Sequence, residues 1–506
     1  MAAGAHLRAP AVTDYMTGQR AKSNSVTPSN PGCDRRAVLQ GTSALAASAW
    51  LGGCTTTLAD PARQPLPAFY EDIERRTFRF FWETVNRSNG LVPDRWPTPA
   101  FSSIAAVGFA LTAYPIGVER GWCSRADARD LTLTTLRFFW NAPQGPSEAA
   151  MTGHKGFFYH FLDMQSGDRY KQVELSSVDT TILLMGMLFA AQYYDRADPA
   201  ETEIRRLASA IYARADWNFF RSDGRAAISM GWHPEGGLIP ANWVGYNEGM
   251  FVNILALGAP VHAVPDGTWD KWTAPYGQFW RGSGATRHVA FAPLFGHQYS
   301  HIWIDFRGIR DAPMRAAGFD YFENSRRATY ANRAYCAANP MGWEGYSADV
   351  WGLTACDGPG SFTLPYKGQQ RTFFGYAARG PLGQPDARDD GTLAPNAALG
   401  SLPFAPEIVV PCAQALLRRH GERIFGRYGF LDSFNPSFRY TGMKLETGTI
   451  DPLHGWVARD HLGIDQGPIL LQAANYRDDF VWRHMRRSPA IARGLKRAGF
   501  TGGWLG

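Results

Sequence analysis

The chain has 506 residues, enough for two to four ordinary domains, and is 45% hydrophobic with 17 Trp, 20 Tyr and 31 Phe, which excludes a disordered polymer. Its formal charge of +6 is partly a property of residues 1–54, where five Arg or Lys face Asp14 and Asp34. Beyond them 46 basic residues stand against 43 acidic ones with no long Lys/Arg run, so nucleic acid is excluded as a partner.

The first 54 residues read as an export signal. Arg35-Arg36 precede a short apolar stretch, Ala37–Trp50, too short to span a bilayer. Paired arginines before such a stretch resemble a twin-arginine signal. Leu51-Gly52-Gly53-Cys54 resembles a lipobox and predicts cleavage before Cys54 and lipidation of its thiol. The expected location is the periplasmic side of a bacterial outer membrane or the cell surface, with a lipid anchor. Residues 55–65 form a short tether, and 66–506 form one large domain, because no low-complexity linker or charge block divides them. Four cysteines follow Cys54 (Cys123, Cys336, Cys356 and Cys412) without a CxxC pair, so a structural zinc site is not expected.

Within the domain one helix type recurs. Ser102–Tyr114, Asp179–Gln192, Glu248–Leu257, Pro406–Leu417 and Asp465–Asn475 are apolar on nearly every face, the signature of a helix buried all round. Glu323–Ala338 is more polar but keeps the rhythm and makes six. Between them lie amphipathic helices at Phe69–Asn86, Arg125–Phe139, Ala200–Phe219 and Ser488–Ala498. Six inner helices wrapped by about six outer ones predict an all-α (α/α)6 barrel. Strand-like pieces, such as His288–Phe291 and Ser300–Phe306, are assigned to its loops.

In such a barrel the loops entering the inner helices converge on one end. Here they carry Glu174 and Asp179, Glu248, Glu323 and Asp465, with Asp305, Asp357, Asp390 and Asp432 in longer loops. Acidic residues also favour helix starts by capping and by matching the dipole, so several have structural roles. The richest stretch is Gly231–Gly258, where Trp232, Glu235, Trp243, Tyr246, Asn247 and Glu248 run into an apolar helix. Aromatic rings suit sugar faces, and glycoside cleavage needs two carboxyl groups, one of them a neutral acid. His297 and His301 are four apart in HQYSH, without the glutamate of a zinc protease helix, so no metal is expected. No segment after residue 54 has the pattern of a cofactor site.

Several long segments, taken in order, resemble glycoside hydrolase family 144, the bacterial glucoamylase-like domain that acts on β-1,2-glucans. They are Gly156–Met164, Glu174–Thr180, Trp243–Gly258, His297–Gly308, Glu323–Cys336, Ser401–Glu407, Leu462–Leu471 and Gly494–Leu505. The resemblance runs from about Leu66 to Leu505 and implies the same (α/α)6 fold. It also implies anomer-inverting hydrolysis of β-1,2-glucan or its oligosaccharides, endo or exo with release of sophorose. Glu248, in Tyr-Asn-Glu, is the implied general acid. Asp432 is the preferred base and Asp465 its rival; an inverting pair stands roughly 6.5–9.5 Å apart. Glu174, Asp179, Trp232, Trp243, Tyr246, Asn247, His297, Asp305, Arg307, Glu323, Arg326, Tyr330, Trp351 and Asp357 become the expected substrate-binding residues. The competing readings are a hydrolase or phosphorylase of another glucan linkage, and a non-catalytic glycan-binding lipoprotein. Pro385–Asp390 and Phe438–Gly463 do not align readily with the family pattern.

Overall fold

The computed structural model describes residues 63–506; the signal, Cys54 and most of the tether lie outside the described residues. In chain order the helices are α1 (Ala68–Thr84), α2 (Ile104–Glu119), α3 (Arg125–Asn141), α4 (Ser177–Tyr193), α5 (Pro199–Ala213), α6 (Met250–Gly258), α7 (Thr268–Thr273) and α8 (Tyr276–Phe279). They continue as α9 (Tyr299–Trp303), α10 (Ala312–Ala317), α11 (Tyr321–Ala338), α12 (Pro395–Leu399), α13 (Pro406–Ile424), α14 (Gly463–Asp478), α15 (Phe480–Met485) and α16 (Pro489–Arg497).

The architecture is an (α/α)6 barrel. Helices α2, α4, α6, α9, α12 and α14 form the inner ring, and α1, α3, α5, α16, α11 and α13 form the outer one. Inner helices show why they are inside: every residue of α6, α9 and α12 is buried, and α2 is buried from Ile104 through Gly117. Small residues allow the closest crossings. A Cβ on Gly186 would stand 2.1 Å from the Gly108 carbonyl oxygen, and one on Gly108 would stand 2.3 Å from that of Ile182, so α2 and α4 touch backbone to backbone. Gly258 and Gly494 perform the same service between α6 and α16.

The ring differs from the sequence expectation at two places. Glu323–Ala338 and Pro406–Leu417 belong to outer helices: Ala334 and Ala337 of α11, and Pro411, Gln414 and Arg418 of α13, are exposed at helical spacing. The inner positions are instead filled by α9 and α12, each of five residues. Tyr299–Trp303 also replaces the strand expected at Ser300–Phe306, because a short apolar run rich in aromatic and β-branched residues fits a buried helix as well as a strand. Helix α6 begins at Met250, which leaves Glu248 in the turn before it rather than in its first turn.

The chain enters α4 through Ser176, whose hydroxyl caps the helix by accepting from the Asp179 N–H at 3.1 Å. A five-stranded antiparallel sheet of short strands surrounds this entrance, with Leu175 paired to both Tyr159 and Trp232. At the C-terminal ends of α4 and α14, α15 packs against both helices and against Phe189 and Tyr193.

Candidate active site

The carboxylates gather at the N-terminal ends of the inner helices. On one side are Glu248, Asp179, Glu174 and His160, and on the other Asp432, Asp465, Asp357, Asp94, Asp460 and Arg95. Tyr299, in the first turn of α9, lies within electrostatic reach of Asp465, Glu248 and Asp179, and donates its hydroxyl to the Ile464 carbonyl at 3.1 Å. It joins the two sides.

Glu248 sits in a turn built for it. The Asn247 side chain accepts from the Gly249 N–H at 2.9 Å and donates to the Val244 carbonyl, fixing the turn from within. Gly249 is required because a Cβ there would lie 2.6 Å from the Trp243 ring. Trp243 is itself held by its indole N–H on Ser177 Oγ at 2.8 Å. Tyr246 points into the core, stacked on Tyr321 and close to His297. Glu248 Oε2 is buried with no protein hydrogen-bond partner. Burial pushes the Glu248 carboxyl up to about 7, and the nearby Asp179 charge acts in the same direction.

His160 lies between two carboxylates, with Nδ1 2.9 Å from Glu174 Oε1 and Nε2 3.6 Å from Asp179 Oδ1. Against the effect of burial, Asp179 and then Glu174 push the imidazole up to about 9, so it is an imidazolium at neutral pH. Burial opposes ionisation of Glu174, but the His160 charge holds that carboxyl below its usual range. For Asp179 burial prevails and the carboxyl is raised. The three side chains have ligand atoms within 4.8 Å of one another, a donor set that could hold a metal ion; here the imidazolium supplies the positive charge between the two acids.

Across the site, Asp432 Oδ2 accepts from the Asp357 backbone N–H at 2.8 Å and from Ser433 Oγ at 2.9 Å. Asp465, in the first turn of α14, accepts from the Asn396 side chain on α12. Asp432 Oδ1 and Asp465 Oδ2 have no other donor. Burial raises both carboxyls; the Asp357 charge adds to it for Asp432, and the Asp432 charge adds to it for Asp465. Two buried acids in hydrogen-bond contact cannot both ionise, so they share a proton. The two donors on Oδ2 favour charge on Asp432 and leave the proton on Asp465. Arg95 balances the group, 3.0 Å from Asp94 and Asp357 and 3.8 Å from Asp460.

The remaining expected residues lie elsewhere. Asp305 follows the C-terminus of α9, and with Arg307, Arg486 and Asp479 it forms an ion network at the opposite end of the barrel. Glu323 pairs with Arg327 on an outer helix. Arg326 and Tyr330 bind Glu407 on the outer surface between α11 and α13. Trp351 is core, and Trp232 packs on His154 and Phe219. Tyr246 and His297, which accepts from the Phe291 N–H at 3.1 Å, support the Glu248 turn from beneath. Asp390 is fully buried against Arg379. The sequence reading passed over Asp94, Arg95, His160, Tyr299, Tyr376 and Asp460. Asp94 and Asp460 were within its reach, since both stand in loops that enter inner helices, α2 and α14.

The Glycoamylase family model, which describes glucoamylase candidates, matches residues 240–489. An exo beta-1,2-glucooligosaccharide sophorohydrolase (non-reducing end) from Parabacteroides distasonis is 25% identical over 456 residues, covering 84% of this chain and 57% of that protein. The chain thus spans little more than half the length of this curated relative. The crystal structure of a glucoamylase candidate from Bacteroides uniformis is 28% identical, with a TM-score of 0.72 over 86% of this chain and 98% of its own. The endo-beta-1,2-glucanase of Chitinophaga pinensis, in complex with sophorotriose and glucose, shares the fold: TM-score 0.71, 24% identity, 87% of this chain and 99% of that one. These comparisons fit glycoside hydrolase family 144. The span matched by the family model contains Glu248, Asp357, Asp432 and Asp465, whereas His160, Glu174 and Asp179 precede it.

Proposed function

We propose that this chain is a glycoside hydrolase that cleaves β-1,2-linked glucan or its oligosaccharides by an inverting acid/base mechanism. One observation carries the chemistry: Glu248 is a buried, unpartnered carboxyl raised to about 7, sharing a site with a carboxylate pair that keeps one proton. With Asp432 raised to about 7 as well, acid and base are in their working forms together only near neutral pH. The linkage rests on the named activities of the curated relative and of the β-1,2-glucanase structures.

In the reaction Glu248 donates its proton to the glycosidic oxygen as the bond from that oxygen to the anomeric carbon breaks. Asp432 takes a proton from a water molecule, whose oxygen forms the new bond to the anomeric carbon from the opposite face. Asp465 holds the shared proton, and Asp357 and Ser433 orient Asp432 through its Oδ2. Product analysis on linear β-1,2-glucan tests the proposal. Wild type is expected to release sophorose or short oligomers without phosphate, with the anomer inverted, and Glu248→Gln to remain folded and lose at least about 10³-fold in kcat, allowing for loss of the acid and its placement. A phosphate requirement would favour a phosphorylase, and binding without turnover a capture protein.

The proposal includes export and lipidation at Cys54, supported by Arg35-Arg36, the apolar stretch and Leu-Gly-Gly-Cys. Cys54→Ala is expected to move the protein from the membrane fraction to the soluble one.

A further inference from the structure

Five large apolar side chains are exposed in the described residues, and one of them, Tyr376, lies within electrostatic reach of the carboxylates. Ala377 pairs with Cys356, the residue before Asp357, whose N–H binds Asp432. The phenol is within electrostatic reach of Asp357, Asp432 and Asp465, and Tyr299 in turn senses Tyr376. Among the described residues no aromatic ring stacks on it, and 39% of its surface is open to solvent. Exposing so large a ring forgoes burial that would stabilise the fold.

The backbone around it is held unusually firmly. Arg379, fully buried, donates to the carbonyls of Phe374 at 3.3 Å, Gly375 at 3.1 Å and Ala377 at 3.3 Å, on both sides of Tyr376. The guanidinium is fixed by two 2.8 Å bonds to Asp390. Gly375 is packed so closely that a Cβ would strike the Glu446 carboxylate. The ring is therefore displayed by a locked segment, and a preorganised aromatic face loses little freedom on binding. Acidic groups within reach of the phenol, able to accept from hydroxyls, and an apolar ring partly open to solvent match the amphipathic surface of a hexopyranose.

We propose that Tyr376 is a substrate-binding residue whose ring carries a glucosyl unit on the Asp432 side of the cleft. This rests on the proposed glucan hydrolase reading. The experiment measures kcat, KM and direct calorimetric binding for wild type, Tyr376→Phe and Tyr376→Ala on oligoglucosides of several linkages, including β-1,2. For whichever glucan the wild type cleaves, Tyr376→Ala is expected to raise KM on the order of tenfold with kcat within about twofold, and Tyr376→Phe to stay near wild type. Unchanged binding and KM in Tyr376→Ala overturns the proposal. So does an unchanged KM with a displaced acid limb of the pH profile, which would mean that the ring merely shields the carboxylate pair. A wild type active only on another linkage sinks the β-1,2 reading while Tyr376 is still scored on that glucan. A wild type that neither binds nor cleaves any of them overturns both.

Discussion

Glu248 is the side chain on which the pH behaviour turns. As the proposed general acid it must be protonated to act, so activity is expected to fall as pH rises through about 7, while on the acid side it falls as the proposed base pair, Asp432–Asp465, takes up its second proton. Burial keeps the acid protonated and the nearby Asp179 charge adds to it, so Asp179→Asn should move the alkaline limb of the kcat/KM profile to lower pH. Stability carries the same signature. A carboxyl raised above its unfolded value stabilises fully below that value, and this contribution is lost as pH rises through the folded value. Glu248→Gln should therefore gain on the order of 2 kcal/mol over wild type at pH 8 compared with pH 4, read by denaturant melts at the two pH values. At this scale the aromatic, glycine-rich setting singles out Glu248 in the sequence, and the structure places it in the carboxylate cluster. The sequence hides His160 and Arg95, because a lone His or Arg in a loop acquires meaning only from the acids that folding brings beside it.

At the scale of elements, the long inner helices were legible and the short ones were not. Fourteen buried residues in α2 and sixteen in α4 give an apolar pattern that no strand can imitate. Five residues, as in α9 and α12, are less than two turns and carry no period, so tertiary burial alone makes them helical. The helical spacing and rhythm of α11 predict an inner helix with Glu323 at the mouth of the ring, whereas α11 lies in the outer ring and Glu323, Arg326 and Tyr330 make ion pairs and hydrogen bonds there, away from the carboxylate site. The α2–α4 contact can be tested directly. Gly186→Ala puts a methyl 2.1 Å from the Gly108 carbonyl, so about 1–3 kcal/mol of stability should be lost in a denaturant melt. Because Asp179 stands in the first turn of α4, the same variant should also lower kcat.

For the whole molecule, chemistry and support are divided between the two ends of the barrel. N-terminal ends of the inner helices bring positive dipole ends toward the carboxylate site, while the far end is tied by Asp305 to Arg307 and Arg486. Asp305→Asn should cost about 1–3 kcal/mol by removing the buried carboxylate that both arginines share, although Asp479 still faces them, yet leave kcat within about twofold, checked by melts and initial rates on one preparation. The far-end network also receives the start of the described chain. Arg63 donates to Asp479 and to the Asn475 carbonyl, and the Gln64 carbonyl accepts from Tyr476. Cys54 lies nine residues earlier, a reach of at most roughly 30 Å. With the proposed lipid tether at Cys54, the barrel would be held by the end opposite its carboxylates, and the site would face away from the membrane like the bowl of a cup set on its base.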